Sequence, residues 1–189
     1  MVLEHLRWPA LIAGRVLEHG GVLAYPTDTV WGLGCDPYNE RAVQRILDIK
    51  QRPREKGLIL VVSQLHELGV LYRSIPDEML ERICAPQKRP TTWLIPDPYH
   101  FIPEWIRGRF DSVAVRVSTS PAIVAMCRQI RGPLVSTSAN PAGLEPARSR
   151  LRVRQYFQDS LDLVFPGEVQ PGAQPSIIRD AITNQIIRV

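Results

Sequence analysis

The chain contains no G-x-x-x-x-G-K-[ST] run and no G-x-G-x-x-G run. Neither a P-loop nor a dinucleotide turn is therefore available to hold phosphate. Histidine and cysteine are scarce, four and three in 189 residues. His5, His19, His66 and His100 stand at no ligand spacing to one another or to a cysteine, which argues against a protein-held metal. Cys35, Cys84 and Cys127 are odd in number and far apart, so they read as small buried apolar residues rather than a disulfide framework. The longest apolar run, Ala122 to Cys127, is six residues, whereas a membrane-spanning helix needs roughly 20. The opening stretch Met1-Val2-Leu3-Glu4-His5 lacks the basic start and apolar core of a secretory signal. No membrane segment is expected, and the expected compartment is a reducing cytoplasm. Ser136 and Ser138 lack the flanking glycines of a nucleophile elbow, which argues against covalent serine catalysis.

What the chain does have is enough apolar material, 44% of residues against 22% charged, for one substantial core. A single domain over residues 1–189 is expected. A net charge of +4 is compatible with anionic small molecules or with RNA and is diagnostic of neither.

Apolar residues at helical spacing (Leu6, Ile12, Ala13, Val16, Leu17) predict a first helix ending near Gly20. Val22 to Tyr25 reads as a buried strand closed by Pro26, delivering Thr27-Asp28-Thr29 into a loop that runs on to Gly32 and Gly34. A second helix spans residues 39–49, and Pro53 stops it, so Lys50 and Arg52 emerge at a helix end. The helix dipole favours a cation there by about 0.3 to 1 kcal/mol at exposed sites, so a solvated helix end is the plain reading of Lys50. Leu58 to Val62, Thr92 to Ile95, Ser112 to Val117 and Leu134 to Ser136 read as strands. Pro121 to Ile130 is a clear helix, with further helical patterns at Gln64 to Tyr72 and Pro76 to Cys84. Ser176 to Arg179 and Gln185 to Arg188, around Thr183-Asn184, read as an antiparallel hairpin. Alternating strands and helices with a closing hairpin predict an α/β fold on a mixed sheet.

Two clusters carry the chemistry. Lys50-Gln51-Arg52-Pro53-Arg54 offers fixed positive charge, and Ser136-Thr137-Ser138-Ala139-Asn140 offers donors and acceptors without charge. An anion with neutral parts, such as a nucleotide, needs both kinds of group. Arg116 lies within an apolar strand, where an unpaired charge is costly, so it is paired with either a ligand carboxylate or an internal acid such as Asp111. Arg148, Arg150, Arg152 and Arg154 alternate, and most of them read as a solvated basic surface available for weak RNA contact.

Four blocks in order, residues 25–34, 50–53, 108–117 and 136–140, resemble the YrdC family over about Gly20 to Arg188. The resemblance implies a twisted open mixed sheet with flanking helices and a concave basic cleft. It also implies an enzyme that joins L-threonine, bicarbonate and ATP into threonylcarbamoyl-adenylate and releases pyrophosphate. The product would pass to a tRNA-modifying transferase complex that acts on the adenosine next to the anticodon. By resemblance Lys50 and Arg52 are catalytic and contact the triphosphate, Arg54 extends their edge, and Arg148 matches a further arginine facing the phosphates. Ser138 and Asn140 bind the nucleotide; Thr92, in the Pro90-Thr91-Thr92 segment, is added to the pocket on the ATP side. Thr27, Thr29, Arg116 and Ser118 form the threonine side. Mg²⁺ arrives on ATP. Gln87-Lys88-Arg89 departs from the family, which usually carries Trp-Pro-Gly there, and replaces an aromatic wall with charge. The competing reading is a non-catalytic RNA-binding module of the same fold, but exposed aromatics interleaved with Lys and Arg are not evident in the sequence.

Overall fold

The computed structural model describes residues 4–169 and 176–188. Among these residues the strands are β1 (Leu23–Pro26), β2 (Trp31–Gly34), β3 (Ile59–Val62), β4 (Thr91–Pro96), β5 (Ser112–Val117), β6 (Leu134–Ser138), β7 (Leu163–Val164), β8 (Ile177–Asp180) and β9 (Ile186–Arg188). They form one mixed sheet in the order β7-β1-β2-β6-β3-β5-β4-β8-β9. The pairs β1/β7, β3/β5 and β4/β8 are parallel, and the others are antiparallel. The helices are α1 (Arg7–Glu18), α2 (Glu40–Lys50), α3 (Val70–Arg73), α4 (Asp77–Cys84), α5 (Glu104–Arg107), α6 (Pro121–Ile130) and α7 (Arg150–Phe157).

Side-chain alternation divides the central strands into two faces. Leu60, Val62, Trp93, Ile95, Val113, Val115 and Val135 point into one core with Val43, Ile46 and Leu47 of α2. The opposite face carries Ile59, Ala114, Arg116, Thr92, Ser136 and Ser138, and the pairings Ile59↔Ala114, Ile59↔Ser136 and Val61↔Arg116 keep them contiguous. At the Val61 and Leu134 end this face is covered by α1 and α6 through Ala13, Leu17, Ile123 and Met126. At the Ile59 and Ser136 end it is only partly buried. A polar, half-covered strip on an otherwise packed sheet is where a ligand can reach the backbone ends.

The structure departs from the sequence reading in several places. Trp31–Gly34 is strand β2, antiparallel to β1, so the loop is only Thr27 to Val30. The Gln64 to Tyr72 pattern is interrupted at Gly69, whose φ of +61° no helix accommodates, leaving a 3-10 turn (Leu65–Leu68) and the short α3. Arg150 to Phe157 is helical, burying Val153 and Phe157, and Ser149 caps it by accepting from the Arg152 N–H. Cys84 is exposed, whereas Cys35 and Cys127 are buried as expected. Among the described residues no helix is long and apolar enough to cross a membrane.

Candidate active site

Lys50 is the last residue of α2, whose start is fixed by Asn39, its side chain accepting from the Ala42 N–H at 3.1 Å. Gln51 adopts φ +49° and the chain doubles back, with Arg52 N donating to Leu47 O at 2.9 Å. The Lys50 side chain therefore runs inward and is only 8% exposed, which corrects the solvated-end reading. Its ammonium donates to Ser138 O, to Asn140 O at 2.9 Å and to Asn140 Oδ1 at 3.3 Å. The basic cluster and the hydroxyl-amide cluster, 88 to 90 residues apart, are thus one site. Burial, and after it Arg52, lower the Lys50 pKa to about 8.

Ser138 and Asn140 are held by the same knot. Ser138 Oγ donates to Asn140 Oδ1 at 2.6 Å, and Asn140 Nδ2 donates to Leu144 O at 2.7 Å. Arg52 donates from Nε and Nη2 to Gly57 O at 3.1 and 2.8 Å. Gly57, at φ +62°, could carry no side chain, because a Cβ there would meet Arg107 O at 2.7 Å. Burial lowers the Arg52 pKa, and so does nearby Arg188, a cation of β9 that no motif singled out. Arg54 is turned to other partners: it pairs with Glu40 at 3.0 Å and lies over Trp105 at 5.8 Å. Arg148 is exposed on the loop between β6 and α7.

At the other end of the strip, Arg116 donates from Nη2 to Asp28 Oδ2 at 3.0 Å, and Ser118 Oγ donates to the same oxygen at 2.7 Å. The partner of Arg116 is therefore Asp28 rather than Asp111, whose side chain is 91% exposed. Burial pulls the Arg116 pKa down while Asp28 pulls it up. Thr27 and Thr29 are buried in the turn that presents Asp28: Thr27 Oγ1 donates to Val30 O at 2.7 Å and accepts from the Thr29 N–H at 3.2 Å. Ser120 fastens this turn to the β5 end, its Oγ donating to Pro26 O and its N–H to Ser118 Oγ, both at 3.1 Å. Thr92, fully buried, shares a hydrogen bond with Ser176 Oγ at 3.1 Å. By register it lies opposite Arg116 on the same face.

Asp28 is the site residue that sequence reasoning missed, although it stands inside the first quoted block. Its signal was available: it is the sole acid between Tyr25 and Gly34. Of the departing segment, Gln87 folds back on its own loop, donating to Ala85 O at 2.9 Å, and Lys88 is exposed. Among the described residues no three His, Cys, Asp or Glu side chains gather as a metal cage.

Comparison with known proteins bears on this geometry. The profile of the Sua5/YciO/YrdC family, described as "Telomere recombination", matches residues 15–189. The chain is 51% identical over 179 residues to the threonylcarbamoyl-AMP synthase of Pseudomonas aeruginosa (strain UCBPP-PA14), covering 95% of this chain and 96% of that one. It is 49% identical over 181 residues to the threonylcarbamoyl-AMP synthase of Stutzerimonas stutzeri (strain A1501), covering 96% and 97%. Among solved structures, P. abyssi Sua5 complexed with L-threonine matches with a TM-score of 0.81 at 30% identity, over 92% of this chain and 51% of that one. E. coli YciO matches in fold with a TM-score of 0.80 at 22% identity, over 96% and 89%.

Proposed function

The chain belongs to the Sua5/YciO/YrdC family, and from that premise we propose that it is a threonylcarbamoyl-AMP synthase. It joins L-threonine, bicarbonate and ATP into L-threonylcarbamoyladenylate with release of pyrophosphate, a nucleotidyl transfer. The product then serves a tRNA-modifying transferase complex.

The observation that carries this reading is the Lys50 ammonium set into the Ser138 to Asn140 turn. An ammonium has three donors, and here all three meet oxygens of the β6 end. Lys50 therefore acts on a bound triphosphate through its charge, fixed beneath the loop, while Arg52 supplies further cationic field beside it. Attack of a carbamate or carbonate oxygen on the α-phosphorus builds negative charge on the phosphoryl oxygens and on departing pyrophosphate. Prearranged cations stabilise that charge without reorganising. Ser138 and Asn140 orient the neutral part of the nucleotide, with Arg148 on the loop beyond them; Thr92, opposite Arg116, falls instead at the threonine end, and Arg54 is held by Glu40 away from the phosphates. Mg²⁺ enters on ATP and neutralises phosphate charge.

The threonine end follows from Arg116, Ser118, Thr27 and Thr29. Arg116 lies opposite Val61, and Ser136 lies opposite Ile59, so Ser138 stands about four strand positions from Arg116. That is roughly 13 Å along the strand axis, a length that an amino acid joined to a nucleotide bridges. The single strip then binds both halves of one product.

The test is incubation of purified protein with ATP, bicarbonate and each amino acid in turn, following pyrophosphate release and the adenylate by mass spectrometry. Threonine-dependent pyrophosphate and an adenylate of the expected mass support the assignment. No threonine-dependent product sinks it, and salt-dependent tRNA binding without turnover would favour a binding module instead.

A further inference from the structure

Asp28 sits on the turn between β1 and β2, and its two oxygens are used unequally. Oδ2 accepts from both Arg116 and Ser118, whereas Oδ1 accepts no hydrogen bond among the described residues. The side chain is 22% exposed. Arg116 is half engaged in the same way. Of its five N–H donors, one on Nη2 meets Asp28, and its remaining nitrogens have no partner among the described residues and are not sealed from solvent. Ion pairs that serve only a core have their polar edges satisfied. Here a guanidinium and a carboxylate touch along one edge and each keeps another edge open.

An α-amino acid carries its ammonium and its carboxylate on a single carbon, so the groups that read them must be neighbours. We propose that Asp28 is the specificity residue for the amino group of the amino-acid substrate. Its Oδ1 accepts the substrate ammonium while the open N–H groups of Arg116 hold the substrate carboxylate. The proposal rests on the threonine reading above and adds to it the residue that distinguishes an amino acid from a hydroxy acid. Thr27, whose hydroxyl is committed to the turn, and Ser120, which ties that turn to the β5 end, keep the carboxylate in place.

The experiment compares binding of L-threonine with that of 3-hydroxybutanoate, which keeps the carboxylate and hydroxyl and lacks the amino group. The proteins are the full chain and its Asp28→Asn and Asp28→Glu variants, with thermal unfolding recorded for each. Asn can still accept from Arg116 and Ser118 through its one oxygen, while its NH2 group replaces the free carboxylate oxygen, so it removes both the charge and the acceptor offered to the ammonium. The wild-type chain is expected to prefer threonine by about ten- to a hundredfold, the range of a charge-assisted hydrogen bond. Asp28→Asn should lower that preference to within about threefold by weakening threonine alone, and Asp28→Glu should keep part of it. Equal wild-type affinity for the two ligands overturns the proposal, and so does an Asp28→Asn chain that retains the preference or loses both ligands alike. A wild-type chain that binds no threonine and shows no threonine-dependent pyrophosphate release overturns the functional reading, and the clamp with it.

Discussion

The two ends of the polar strip solve the problem of a buried cation in opposite ways. At the Lys50 end the charge is met by neutral oxygens, Ser138 O, Asn140 O and Asn140 Oδ1, so the positive charge is solvated but not cancelled. Arg52 and Arg188 add to it. At the Arg116 end the charge is met by the carboxylate of Asp28, and the pair is neutral as a whole. A polyanion is attracted by the first arrangement and a zwitterion by the second. The contrast teaches that, on the proposed assignment, the charge balance of each end, more than its list of polar residues, is what suits it to one half of the substrate.

The contrast can be broken from either side. The largest effect is expected for Arg116→Ala, which leaves Asp28 without its cation: threonine kcat/KM should fall by about a hundredfold or more, with a stability loss of roughly 2 to 3 kcal/mol. ATP binding, measured separately, should change little; a comparable loss of ATP affinity would mean that the two ends do not act independently. Lys50→Ala should reduce turnover by at least about tenfold, equivalent to roughly 1.4 kcal/mol. Wild-type rates in that variant would return Lys50 to a structural role.

A smaller effect comes from pH. With its pKa held at about 8 against an ordinary 10.5, Lys50 loses its proton in the folded chain before it does in the unfolded one. Between those values the unfolded state binds more protons, so this group makes stability rise with pH. ATP affinity should move the other way, weakening several-fold above about pH 8 in the wild type. Lys50→Arg should show no such weakening, and a parallel pH profile in that variant would assign the titration elsewhere. The smallest effect is expected at Arg54, already paired with exposed Glu40. Arg54→Ala should shift the KM for ATP by less than about twofold. A larger shift would show that Arg54 leaves Glu40 for the phosphates.

Much of this was legible in the sequence because it is local. Ser112–Val117 and Pro121–Ile130 have the predicted bounds, since apolar alternation and a proline at the first helical turn are short-range signals. The closing hairpin and the mixed sheet follow for the same reason. Strand β2 was hidden by its glycines, which read as loop residues. Their reason is a neighbour: a Cβ on Gly34 would meet Val135 O at 2.4 Å and Tyr25 Cε1 at 2.7 Å. Helix α7 buries too few residues for a clear period, and its alternating arginines imitate a strand. In the site, the residue types were legible and their partners were not. Nothing in local spacing distinguishes Asp28 from Asp111 as the acid for Arg116; only the register of β3 against β5 and the turn after β1 decide it.

Both halves of the proposed site are closed by contacts across nearly half of the chain, Asp28 to Arg116 over 88 residues and Lys50 to Asn140 over 90. Neither half can be assembled from a local fragment. On a ribosome the amino-acid end would become possible once the chain has passed Ser118, and the phosphate end only after Asn140. Such long closures form late, because the entropy of joining distant segments is spent before their contacts return anything. A chain cut before Arg116 therefore holds neither half, and one cut before Asn140 lacks the phosphate end.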